Sequence, residues 1–123
     1  MTLRTALLRY GTVGVAATAA HWMLLALLVE AFGVRAWIGS GAGAVLGAQV
    51  AFFGNRRYTF DHAGAWLPAW WRFMGTAALG AAVGMGVVAA GVALGLHYLL
   101  AQALATGIVM LLTFAINRHW TFA

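Results

Sequence analysis

Charged residues cut this chain into apolar runs with the lengths of membrane-crossing helices. Twenty residues without a formal charge lie between Arg9 and Glu30, another 20 between Arg35 and Arg56, and 45 between Arg72 and Arg118. A helix of about 20 residues rises roughly 30 Å, the thickness of the hydrocarbon core. The first two runs therefore predict one span each, and the third predicts two with a turn near Gly95-Leu96-His97. The expected helices are 10–30, 36–54, 73–94 and 98–116. The N-terminal run begins like a signal peptide, but it continues through "HWMLLALLV", too far for an h-region, and reads as the first span.

The polar interruptions repeat. "NRRYTF" at 55–60 returns as "NRHWTF" at 117–122, an offset of 62. "RYGTVG" at 9–14 pairs with "RFMGTA" at 72–77, an offset of 63. Each unit, about 9–60 and 72–122 within a single domain 1–123, reads arginine-aromatic, span, turn, span, Asn-Arg. Two spans per unit bring both units into the membrane the same way round, a parallel internal repeat about an axis along the membrane normal. The expected fold is thus an all-α membrane protein of four transmembrane helices, built as two tandem helical hairpins. Gly39, Gly43 and Gly47 form a GxxxGxxxG ridge on the second span, and Gly80/Gly84 and Gly91/Gly95 repeat the spacing on the third. Small residues at that spacing let helix backbones approach closely in lipid.

Composition strengthens the membrane reading. Hydrophobic residues make up 64% of the 123 positions and charged residues 7%, with a mean hydropathy of +0.91. A soluble domain carries about 25% charged residues, so this chain could not cover a water-facing surface. The net charge of +5 comes from seven arginines and no lysine. Those arginines sit between apolar runs rather than on a soluble basic face, which argues against a nucleic-acid partner. Arg4, Arg9, Arg56, Arg57, Arg72 and Arg118 fall on one side of a four-span arrangement, and only Arg35 on the other, beside Glu30. That asymmetry predicts both termini and the central loop on the cytoplasmic side.

No catalytic constellation is present. The two carboxylates, Glu30 and Asp61, are expected on opposite faces of the membrane and cannot form an acid/base pair. Four scattered histidines and no cysteine make no metal site, and Ser40, the only serine, has no adjacent base. No enzyme activity and no cofactor are expected. The candidate binding residues are a cytoplasmic ring of Arg9, Asn55, Arg56, Arg57, Arg72, Asn117 and Arg118. Topology alone accounts for arginines at these places. Arg9 and Arg72, however, are expected at helix N-termini, where a guanidinium and free backbone N–H groups make an anion site. His21 is the one ionisable residue deep in a span, either a functional group or a neutral partner for a neighbouring helix. Gln49 and Gln102 read as interhelical glue. The segment 61–72, with Trp66, Trp70 and Trp71, reads as a short interfacial loop.

With an Arg-Phe opening at Arg72-Phe73 and the Asn-Arg-x-aromatic-Thr-Phe phrase closing both units, the chain resembles the GtrA-like family over nearly its whole length. The resemblance implies a small protein of the bacterial cytoplasmic (inner) membrane that translocates polyprenyl-phosphate-linked sugars for cell-envelope polysaccharide glycosylation. It places the family's polar positions on Asn55, Arg56, Asn117, Arg118 and Arg72. The alternative is a non-transporting scaffold that recruits or stabilises a membrane glycosyltransferase. Expected partners are the sugar lipid, that enzyme and the bilayer. Further copies of the chain would widen any pathway that four short spans enclose.

Overall fold

The computed structural model describes residues 2–59 and 64–116. Thr2 starts the first helix: its hydroxyl accepts a hydrogen bond from the Thr5 N–H at 3.2 Å, satisfying one of the free donors of the first turn. Helix α1 then runs Leu3–Phe32 and stops at Gly33, whose φ of 64° is left-handed. The Val34 N–H closes back onto the Leu28 carbonyl at 3.0 Å, the usual glycine stop. Helix α2 spans Ala36–Gly54 and passes into a π-helical turn, Asn55–Thr59, without a break, because Asn55 keeps right-handed dihedrals. Helix α3 covers Trp66–Ala93, and α4 covers Tyr98–Ile116. Between them Gly95, at φ 93°, makes the turn expected near 95–97, so it lies beyond α3 and is no part of a glycine ridge.

Two helices begin earlier than the charge pattern suggests. Helix α1 starts at residue 3 rather than 10, and α3 at 66 rather than 73. Arginine marks the edge of the apolar run, but it is a good helix former and does not end the helix. Pro68, the third residue of α3, falls in the first turn, where its missing N–H has no helical partner to lose. The stretch 66–72 is therefore helix, and the three tryptophans expected in a loop ride on α3.

Packing follows chain order: α1 lies on α2, α2 on α3, and α3 on α4. Glycine permits each contact. A Cβ on Gly39 would come within 3.0 Å of Leu25 Cδ1, and one on Gly47 within 3.0 Å of the Ala17 carbonyl. At Gly43 a Cβ would collide with the His21 carbonyl. The α2 ridge thus faces α1. Gly41 makes room for Met85 of α3, and Gly91 admits Ala101 of α4. Helices α1 and α4 form no packed interface, but their ends are joined where the Tyr98 hydroxyl donates to Glu30 Oε1 at 2.9 Å.

The exterior is apolar, as lipid requires: Val15, Met23, Met110 and Leu111 are each more than two-thirds exposed. Among the described residues, three helices are long and apolar enough to cross a bilayer: Leu3–Phe32, Ala36–Tyr58 and Trp66–Ala93. The apolar stretch of α4, Tyr98–Thr113, is shorter. The protein is an all-helical, multi-pass membrane protein.

Candidate functional site

All four helices line one groove of about 520 Å³. Its floor is made of small residues on α2 and α3: Ala44, Gly47 and Ala48 from one, Gly80, Ala81 and Gly84 from the other. Its walls carry most of the hydrogen-bonding groups. Tyr10, Thr18 and His21 project from α1, and Gln102, Thr106 and Thr113 from α4. The walls, α1 and α4, form no packed interface with each other. Among the described residues, no arginine, aspartate or glutamate lines it.

Two hydrogen bonds organise the buried end. The Ser40 hydroxyl on α2 donates to Gln102 Oε1 at 2.6 Å, and Gln102 Nε2 donates to Thr106 Oγ1 at 3.1 Å. Ser40 and Gln102 are each 2% exposed. His21 Nε2 is buried and has no hydrogen-bond partner among the described residues.

The predicted site residues separate into two groups. Of the described residues expected to bind substrate, only His21 lines the groove. Arg9 is half-buried beside the π turn: its guanidinium donates to the Tyr58 carbonyl at 3.2 Å and lies 5.0 Å over the Tyr58 ring. Arg56 reaches the Gly64 carbonyl at 3.0 Å, while its Nε is buried without a partner among the described residues. The Asn55 backbone N–H stays in the helical ladder, on the Ala51 and Phe52 carbonyls. Arg57 and Arg72 are exposed. Asn117 and Arg118 lie outside the described residues. Neither Arg9 nor Arg72 is at a helix N-terminus; each is the seventh residue of its helix. That places them roughly 9 Å along the axis, beyond the first turn where the helix dipole acts. A helix-end anion site at these two arginines is thereby excluded. The aromatic beside each, Tyr10 and Phe73, does line the groove.

Gln102 and Gln49 bond between helices as expected. Gln49 Oε1 accepts from Trp70 Nε1 at 2.9 Å, and its Nε2 lies 3.0 Å from Met74 Sδ, tying α2 to α3. The groove threonines were not singled out in the sequence. Threonine is common in membrane helices, and only the offset between the two halves points to these positions.

A family model for the transmembrane domain of GtrA/DPMS matches residues 9–122. The chain belongs to the GtrA/DPMS transmembrane-domain family. No curated protein and no solved structure matches it. Membership associates this GtrA/DPMS chain with polyprenyl-phosphate-sugar-related function in the membrane. The match begins at Arg9, which opens the first unit, and ends at Phe122, which closes the second.

Within this GtrA/DPMS domain, the groove residues fall into pairs at the offsets of the repeated phrases. At 63 stand Tyr10/Phe73, Ala17/Gly80, Thr18/Ala81 and His21/Gly84; at 62 stand Ser40/Gln102, Ala44/Thr106, Gly47/Val109, Ala48/Met110 and Ala51/Thr113. Only Thr76, Ala77 and Ala105 lack a lining partner. Where a pair differs in polarity, the polar member is on α1 or α4. Most hydrogen-bonding groups thus stand on the walls, and small residues make up the floor.

Proposed function

We propose that the protein translocates polyprenyl-phosphate-linked sugars across the cytoplasmic membrane through this groove, with the prenyl tail remaining in lipid. The observation that carries the reading is the polar ladder on α1 and α4. From Tyr10 to His21, and again from Gln102 to Thr113, 11 residues of helix cover about 16 Å, half the hydrocarbon thickness. An unpaired buried polar group costs on the order of 1–3 kcal/mol, so a chain that merely fills a bilayer gains nothing from such a ladder. A sugar crossing the same depth exchanges water for these groups.

In this reading, α4 is a fourth span and the chain is two tandem hairpins, supported by helix starts at 3 and 66 and at 36 and 98, offsets of 63 and 62. The arginine end faces the cytoplasm, where Arg9, Asn55, Arg56, Arg72, Asn117 and Arg118 attract the phosphate before the sugar enters. The aromatics of the two opening phrases form the mouth.

The test is purified protein in liposomes with labelled polyprenyl-phosphate sugar, with and without the enzyme that makes it. Lipid movement without the enzyme supports translocation. No movement in either arm, with the two proteins co-purifying, supports the scaffold reading instead. That second reading rests on the exposed Trp66, Leu67 and Trp71 at the start of α3, a surface suited to a membrane enzyme.

A further inference from the structure

We infer that the buried end of the groove, where Ser40, Gln102, Thr106 and His21 converge, is a binding station for a neutral, hydroxyl-rich head group, and that it recognises the polyol rather than the phosphate. The inference rests on the translocation reading and adds what the site selects.

The internal hydrogen bonds leave capacity unspent. A glutamine amide has two N–H donors and an oxygen with two lone pairs. Gln102 uses one N–H on Thr106 and one lone pair on Ser40. The Thr106 hydroxyl accepts that bond, so its own proton is free to donate. His21 Nε2 adds a buried atom with no partner among the described residues. Gln102 and Thr106, which both line the groove, thus keep donors and an acceptor to spare, the pattern that a sugar hydroxyl, which is both, satisfies.

Charge decides against the phosphate. Among the described residues the lining holds no arginine. A bare anion taken from water into such a place is heavily penalised unless a cation meets it. A neutral polyol pays only for its hydroxyls, and the station repays those. The size agrees, since about 520 Å³ is within the range of small-molecule sites. The Arg9 Cα lies roughly 18 Å along α1 from His21, so the arginine end and the station are successive stops for one head group.

The experiment is saturation-transfer NMR on the protein in nanodiscs, with methyl glucopyranoside as the probe and inorganic phosphate as the competitor. Wild type is expected to transfer to the glycoside, and phosphate is expected not to displace it. Thr106→Val should weaken glycoside binding about fivefold, the worth of one neutral hydrogen bond, and Thr106→Ser should restore it. Ser40→Ala is the second variant and should also weaken binding. No transfer in wild type, displacement by phosphate, or equal binding by Thr106→Val and Ser40→Ala overturns the station. Glycoside binding that depends on Thr106, in protein that moves no lipid in liposomes, would leave the station standing and remove the translocation reading. Lipid movement without any glycoside signal would do the reverse.

Discussion

Ser40 and Gln102 stand 62 positions apart, the offset of the repeated Asn-Arg phrases, and are joined by a hydrogen bond of 2.6 Å. The bond links α2 to α4, two helices that are not neighbours in the packing order. Both side chains are 2% exposed, so neither has water as a substitute partner.

Ser40→Ala leaves the Gln102 carbonyl oxygen buried without its donor. The expected cost is about 1–2 kcal/mol, the scale of polar bonds between membrane helices. Thermal unfolding in detergent should show a lower Tm for Ser40→Ala than for the double variant Ser40→Ala/Gln102→Leu, which removes the orphan as well.

The glycines divide by environment. Gly43→Ala drives a methyl into the His21 carbonyl and should destabilise by about 1–3 kcal/mol, as overpacking does. Gly86 has nothing within 4 Å, so Gly86→Ala should be neutral or slightly stabilising through helix propensity. Equal unfolding midpoints for the two would contradict the α1–α2 contact.

Arg9 is bound twice to Tyr58, by its carbonyl and its ring. Lysine keeps the charge, so Arg9→Lys should insert with the same topology, but it loses the planar stacking. Hydrogen exchange at 55–59 should speed up in Arg9→Lys. Arg72 is exposed, and Arg72→Lys should leave exchange at 55–59 unchanged.

Much of this arrangement is legible in the sequence. Apolar run lengths locate the starts of α2 and α4 at Ala36 and Tyr98, because the positive-φ glycines Gly33 and Gly95 turn the chain just before them. The starts of α1 and α3 are not legible, since arginine ends an apolar run without ending a helix. That error is also what placed Arg9 and Arg72 at helix ends. His21 stands out as the lone buried titratable group, whereas Thr18, Thr106 and Thr113 look like ordinary membrane-helix residues until α1 and α4 are seen to face one space. The direction of the α2 glycine ridge, onto α1, needed the packing itself.

Tyr98 and Glu30 clasp the ends of α1 and α4 away from the arginine cluster. Tyr98→Phe removes the bond at an exposed place, so stability should change by less than about 1 kcal/mol. Spin labels at residues 31 and 99 should nevertheless report a wider or broader distance distribution between the two walls. An unchanged distribution would mean the clasp holds nothing together.

Movement of labelled polyprenyl-phosphate sugar in liposomes, compared between wild type and Ala44→Phe, tests translocation through the groove most directly. Ala44 sits on the floor between the polar walls, so a phenyl ring there fills the path while leaving the arginine end untouched. The account predicts that wild type moves the lipid and that Ala44→Phe, folded and inserted at the same level, does not. Equal rates in the two proteins would contradict it.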